Sequence, residues 1–172
     1  MSGQILFTVL VLAVASERVA ELAVSRRNAA WSLARGGVEA GRGHYPFMVV
    51  LHTGLLAGAL AEVWVRRPDA VAALAWSMLV LVAAAQALRW WCIATLGRQW
   101  NTRVIVVPGA PRVTGGPYRR LPHPNYAAVA VEGFALPLVH SAWVTALVFT
   151  LLNGFLLAVR IRTEDAALTR LA

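Results

Sequence analysis

Long apolar stretches, separated by short clusters of arginine, glycine and proline, set the pattern of this chain. Five can be marked, running from Gln4 to Val24, Pro46 to Val65, Val71 to Leu88, Tyr126 to Val139 and Ala142 to Val159. Most approach the ~20 apolar residues with which an α-helix crosses the hydrocarbon core, and the fourth is shorter. Tight connections at Arg66 to Ala70 and at His140-Ser141 predict antiparallel helix hairpins. The expected fold is all-α, a polytopic transmembrane helical bundle of about five spanning helices with one large loop before the fourth. It forms a single domain over residues 1–172, with no internal repeat or flexible linker. Met1 to Gln4 carries no positive charge, and Glu17, Arg18 and Glu21 occupy the end of the first segment, which predicts a retained helix in place of a cleaved signal peptide.

Composition agrees, since 59% hydrophobic residues exceed what an ordinary soluble domain carries. All sixteen basic residues are arginine and the net charge is +8. In so apolar a chain these forks are expected to face lipid headgroups, an anionic ligand or both, and nucleic acid is not an expected partner. Arg26, Arg27, Arg35 and Arg42 follow the first segment, six arginines from Arg89 to Arg120 follow the third, and Arg160, Arg162 and Arg170 follow the fifth. Only Arg66 and Arg67 lie on the other side. The positive-inside rule then places the amino terminus outside and both Arg-rich loops and the carboxyl tail in the cytoplasm. Cys92 is the single cysteine, which excludes an internal disulfide and a Cys-x-x-Cys pair and leaves it a packing residue.

The stretch from Gly115 to Tyr126, Gly-Gly-Pro-Tyr-Arg-Arg-Leu-Pro-His-Pro-Asn-Tyr, is too rich in glycine and proline for a helix. It forms a shaped loop that presents Tyr118, Arg119, Arg120, His123, Asn125 and Tyr126 at the edge of the fourth segment. Six residues past Tyr126 stands Glu132, at a depth where a carboxylate faces a cavity or a partner. It is either a functional acid or half of a structural ion pair. Arg18 and Glu21, three apart, read as mutually neutralising, and Glu62 is in reach of Arg66 four residues on. His123 is held rigid between Pro122 and Pro124 at a helix start. With no second ligand at metal spacing, and with His44, His52 and His140 on separate elements, no metal site is expected. His52, on an apolar face, reads as a packing histidine. The tail Arg162-Thr163-Glu164-Asp165 either offers an acidic pair to a ligand or is a helix leaving the membrane with Arg160 paired to Glu164. Trp90, Trp91, Trp100 and Trp143 suit an aromatic belt, with Trp100, beside Asn101 and Arg103, also placed to line the large loop. Dinucleotide, phosphate-loop and nucleophile-elbow motifs are absent, so any cofactor is held by helices and loops.

The ordered set Trp100 to Pro108, Thr114-Gly115-Gly116-Pro117-Tyr118-Arg119, His123-Pro124-Asn125-Tyr126, Glu132 and Arg162 to Leu168 resembles the isoprenylcysteine carboxyl methyltransferase family. The amino-terminal half, with Arg18-Val19-Ala20-Glu21-Leu22 and Ser25-Arg26-Arg27-Asn28, is similar to a bacterial branch that methylates long-chain phenolic lipids or alkylpyrones beside type III polyketide synthases. The resemblance implies an integral, multi-pass enzyme of the bacterial cytoplasmic membrane, with S-adenosyl-L-methionine as cofactor, held on the cytoplasmic side by residues from about 89 to 172. The acceptor would be a lipophilic small molecule arriving laterally among membrane lipids. Where many members carry Arg before the motif His, this chain has Pro122; Ala127 replaces a small glycine, and the tail pair is Glu164-Asp165.

On that basis Glu132 is expected to act as base or orienter, with Arg103 or Arg119 stabilising the acceptor oxyanion. Tyr118, His123, Pro124, Asn125, Tyr126 and Glu164 would position the cofactor, whose carboxylate would pair with Arg120 or Arg162. A carboxyl methyltransferase acting on an isoprenyl thioether acid is the enzymatic alternative. A non-catalytic lipid-binding or assembly protein is the alternative of another class. The arginine asymmetry predicts that a reporter fused after Ala172 is cytoplasmic and one fused before Gln4 is not; an external carboxyl terminus, read by protease protection, would overturn the placement of all three basic segments.

Overall fold

The computed structural model describes residues 2–171. Five helices dominate it: α1 (Ser2–Leu33), α2 (Tyr45–Arg66), α3 (Ala72–Leu96), α4 (Pro124–Leu138) and α5 (Trp143–Leu171). Short 3-10 turns cover Gly97–Gln99 and Gly116–Arg119, and two three-residue strands, β1 (Val38–Ala40) and β2 (Val104–Val106), complete the regular structure. The expected all-α architecture is the one observed. Helices α2, α3 and α5 are long and apolar enough to cross a membrane.

Helix α4 has only 15 residues and rises about 22 Å at ~1.5 Å per residue, less than the ~30 Å hydrocarbon core. It lies mainly between α3 and α5, and ten of its residues are buried. A short helix survives at this depth because neighbouring helices cover most of it, leaving an exposed stripe of Ala127, Ala130, Val131 and Phe134. Small residues permit the close approach. A Cβ added at Gly133 would overlap the ring of Phe149 on α5, and Ala128 and Ala135 have no exposed surface.

Three helices outrun the expected segments, α5 continuing from Val159 to Leu171. Helix α1 continues from Val24 to Leu33 because Glu21, Ser25, Asn28 and Ser32, spaced four, three and four residues apart, share one buried face. That face extends the one on which Phe7, Val11 and Val14 enter the apolar core, so α1 is apolar inside along its first half and polar inside along its second. Helix α3 passes Leu88 and runs to Leu96. Arg89, expected in the large loop, is inside the bundle because Glu21 neutralises it.

Strand β1 pairs antiparallel with β2, Val38 opposite Val106 and Ala40 opposite Val104. This ribbon joins the α1–α2 connection to the α3–α4 loop. The end of α5 packs on it through Ala167, against Val104 and Val106, and Gly109 N–H donates to Leu171 O. Both Arg-rich loops and the tail therefore share one end of the bundle. At the other end Arg67 and Ser141 turn the chain at positive φ, 50° and 54°. There Glu62 does more than approach Arg66 at 3.8 Å: its carboxylate accepts from Val144 N–H (3.1 Å) and from Thr145 N–H and Oγ1 (both 2.8 Å), capping α5.

Since the α4–α5 approach rests on an absent side chain, Gly133→Ala should destabilise the folded protein by about 1–3 kcal/mol. Combining it with Phe149→Leu should return much of that loss, measured as unfolding temperature in detergent. Additive losses in the double variant would show that the two helices do not meet at this point.

Candidate active site

A cleft of about 140 Å³ opens at the end of the bundle that carries the ribbon. Its walls come from the loop after α3 (Trp100, Asn101, Arg103), from β2, from the start of α4 (His123, Asn125, Tyr126) and from α5 (Arg160, Glu164). Ser32 at the end of α1 and Tyr118 of the Gly116–Arg119 turn also line it.

The loop lies where it does because α1 holds it. Asn28 Nδ2 donates to Gly97 O (3.1 Å) and Trp100 O (2.8 Å), while Ser25 Oγ accepts from Thr102 N–H (2.9 Å) and shares a hydrogen bond with Thr102 Oγ1. Trp100, expected at the interface belt or lining the loop, is 2% exposed and lines the cleft. A second anchor comes from α5, where Arg160 Nη2 donates to Thr102 O at 2.6 Å.

The His-Pro-Asn-Tyr head of α4 is latched to the tail of α5. Tyr126 donates its hydroxyl to Glu164 Oε2 and accepts from Arg160 Nε at 2.8 Å. His123 stacks on Tyr126 with ring centres 5.4 Å apart, and its Nε2 stands 3.0 Å from Asp165 Oδ1. Arg160 thus bonds Tyr126 and Thr102, and the expected Arg160–Glu164 pair gives way to one routed through the Tyr126 hydroxyl. Burial pushes the Tyr118 phenol well above its usual range, helped by neighbouring Cys92, Glu164 and Tyr126; it stays protonated.

Polar atoms without partners converge on this cleft. Asn101 Oδ1 and Nδ2, Asn125 Oδ1, Trp100 Nε1 and Ser32 Oγ are buried with no hydrogen bond within the protein, and all four residues line the space. Buried polar groups in proteins are as a rule satisfied, because an empty donor or acceptor costs about 1–3 kcal/mol. Such a set fits a ligand that brings its own donors and acceptors, as an adenosine and an amino-acid group do.

Of the residues expected to bind the cofactor, Tyr118, His123, Asn125, Tyr126 and Glu164 line the cleft, as does Arg103. Pro124 is buried at the first turn of α4, where it fixes the helix start. Arg120 and Arg162 are exposed and not among the lining residues, and Arg119 lies with Arg120 in an adjoining surface groove that shares Arg112, Val113, Tyr118 and Pro122 with the cleft. Local sequence signals do not mark Arg160, Asn101 or Ser32 as binding residues. The i, i+4, i+7, i+11 spacing of Glu21, Ser25, Asn28 and Ser32 is the pattern that points to the last.

Glu132 lies deeper. It is seven residues beyond Asn125 on the same face of α4, about 10 Å along the axis. Its oxygens accept from Arg18 Nη2 at 3.2 and 3.1 Å. Arg18 also donates to Glu21 (2.7 Å) and Gln86 (2.7 Å), and Arg89 meets Glu21 through Nε (2.5 Å) and Nη2 (2.7 Å). Glu17 accepts from Gln86 and Trp90. The carboxylate is therefore one member of a network joining α1, α3 and α4. Among the described residues no group of three His, Cys, Asp or Glu could hold a metal ion.

Residues 64–170 match the isoprenylcysteine carboxyl methyltransferase (ICMT) family, whose members are membrane methyltransferases. The chain is also 36% identical, over 167 residues, to YpbQ of Bacillus subtilis (strain 168), a protein described as uncharacterized. That similarity covers 95% of this chain and 96% of YpbQ. No solved structure matches the chain. With a family match over well over half its length, including every cleft residue from Trp100 to Glu164, the chain belongs to the isoprenylcysteine carboxyl methyltransferase family.

Proposed function

We propose that this protein is an S-adenosyl-L-methionine-dependent O-methyltransferase acting at the cytoplasmic side of a bacterial membrane, on a lipophilic acceptor such as the hydroxyl of a phenolic lipid or alkylpyrone. The observation that carries the reading is the cleft, with its unpartnered Asn101, Asn125, Trp100 and Ser32, all but Ser32 within the part of the chain that matches the family. When bound, the cofactor supplies an electrophilic methyl on a sulfonium. Asn101 and Trp100 are suited to the adenine edge. Glu164 and Asp165 suit a ribose diol and a cation, and Arg103, exposed at the rim, suits the cofactor's carboxylate.

The protein's work is alignment in a dry site. Tyr126, fixed by Arg160, and His123, stacked on it, hold the wall of the cleft that faces the membrane helices. Glu132, two turns deeper on the face of Asn125, is assigned as base or orienter for the acceptor hydroxyl. Its pairing with Arg18 of α1 fixes where the carboxylate stands. Partners in this reading are the lipophilic acceptor and the surrounding lipid, with no nucleic acid.

Calorimetry on the purified chain in lipid nanodiscs tests the cofactor. S-adenosylmethionine should bind, and Glu164→Ala or His123→Ala should weaken it by about 1–3 kcal/mol for each charge-assisted hydrogen bond removed. Absence of binding by the wild type would favour a non-catalytic lipid-binding role. Glu132→Gln retains an oxygen for Arg18, so fold and cofactor affinity should persist while turnover of a long-chain phenol falls ~10²- to 10⁴-fold. Near-full turnover would leave Glu132 as a packing residue, and turnover only of a prenylcysteine acid would redirect the reading to the carboxyl methyltransferase.

A further inference from the structure

The surface groove beside the cleft has no part in the proposed reaction, yet it gathers charge. It encloses about 380 Å³, and its lining includes three arginines, Arg112, Arg119 and Arg120, and no acidic residue. The carboxylates at this end of the bundle are engaged elsewhere: Glu39 faces Arg42 and Arg103, Glu164 accepts from Tyr126, and Asp165 meets His123. Among the described residues, none of the three guanidiniums makes an ion pair. Like charges around one space repel, and guanidinium forks are satisfied by an anion that accepts parallel hydrogen bonds, as a phosphate does.

Tryptophan marks the depth of the groove. Gly116 lies so close to α3 that an added Cβ would stand 3.1 Å from Trp91 Nε1 and 2.6 Å from Thr95 Oγ1. Trp91 is itself 56% exposed, with Trp90 beside it at 44%, near the end of a helix long and apolar enough to span. Exposed indoles at the end of a spanning helix sit at headgroup level. The Gly116–Arg119 turn, held against Trp91, shares that level. Leu121, on the groove's edge, is 47% exposed, and three residues later the chain enters α4 with its exposed apolar stripe. A soluble phosphate has no use for such a border, whereas a lipid does.

Groove and cleft share a wall. Arg112, Val113, Tyr118 and Pro122 line both spaces, and Pro122 leads directly into His123, which stacks on Tyr126. Whatever fills the groove therefore bears on the wall that closes the cleft.

We propose that the groove is a binding site for the phosphodiester of an anionic membrane lipid, gripped by Arg119 and Arg120, and that its occupant braces the shared wall and so tightens the cleft around the cofactor. A zwitterionic lipid is disfavoured because its choline brings a further cation to a space that already holds three. Arg119 and Arg120, expected from the sequence to serve the acceptor and the cofactor, thereby act on the lipid. The lipid site stands on the groove alone, and its effect on the cofactor rests on the methyl transfer proposed above.

The test titrates full-length protein, in an uncharged detergent that has no membrane surface potential, with phosphatidylglycerol or phosphatidylcholine, and counts bound lipid by native mass spectrometry. One phosphatidylglycerol should bind saturably, and phosphatidylcholine roughly 10-fold more weakly. Arg119→Gln combined with Arg120→Gln should weaken phosphatidylglycerol by roughly 10-fold. Arg26→Gln combined with Arg27→Gln, which removes the same charge from exposed positions, should not. Equal losses in the two double variants would reduce the groove to diffuse charge and overturn the site. Displacement of the lipid by an equal concentration of glycerol phosphate would overturn it in favour of a soluble anion. In nanodiscs, calorimetry should show S-adenosylmethionine binding about 5-fold more tightly with phosphatidylglycerol than with phosphatidylcholine alone. The Arg119, Arg120 double variant should lose that gain yet match the wild type in phosphatidylcholine. No gain in the wild type would overturn the bracing, as would weaker binding by the double variant in phosphatidylcholine, which would make the two arginines cofactor ligands. Absence of cofactor binding in every lipid would sink the methyltransferase reading and the bracing with it, while the detergent titration would still decide the lipid site.

Discussion

Two guanidiniums and three carboxylates clustered among α1, α3 and α4, with Glu21, Arg89 and Glu132 buried, are the constraint on which the bundle depends. Arg89 meets Glu21 bidentately, and Arg18 bridges Glu21 to Glu132. An ion alone in hydrocarbon is costly, and removing one partner of a buried pair costs about 3–5 kcal/mol. Van der Waals packing of alanines and leucines tolerates sliding by a turn. Charges that must each find a partner do not, and they fix the depth of three helices relative to one another. The short α4 then has its head at the cleft and Glu132 at the network, with no freedom to shift either.

From that frame the cleft is assembled by long-range polar bonds onto a loop with little structure of its own. Asn28, Ser25 and Arg160 fix Gly97 to Thr102 from opposite sides. The ribbon of β1 with β2 closes the same end. Rigidity is supplied by helices while the chemistry is presented on a loop, a division common to binding sites. The membrane adds dryness, which strengthens each electrostatic contact made inside.

The fold class, the helical hairpins and most of the cleft residues were legible in the sequence because they rest on local signals. Apolar length marks a span, and a glycine- and proline-rich loop before a helix marks a shaped surface. Tyr118, His123, Asn125, Tyr126 and Glu164 come together as the Gly115 to Tyr126 motif and the acidic tail suggest. What hydropathy misplaced were the charged residues inside the bundle. Arg89 ends an apolar run by composition, yet it continues a helix because Glu21, 68 residues earlier, neutralises it. The inward polar face of α1 is invisible to averaged hydropathy and visible only at helical spacing. Arg160 read as part of a polar tail, because nothing near it in the chain reveals Tyr126 and Thr102 as its partners. Strands of three residues are too short to leave a pattern.

The pairing of Arg18 with Glu132 spans 114 residues of chain, which has a consequence for how the protein enters the bilayer. Synthesis delivers α1 long before α4. During that interval Arg18 is accompanied by Glu21, three residues on in the same helix, so the segment can be handed to lipid as a near-neutral unit. Glu21 must then accept Arg89 when α3 arrives, and Arg18 turns to Glu132 when α4 follows. The partners of α1 are thus added in the order in which the ribosome releases them, and the short α4, too short to span by itself, is drawn in by a cation already waiting at its depth.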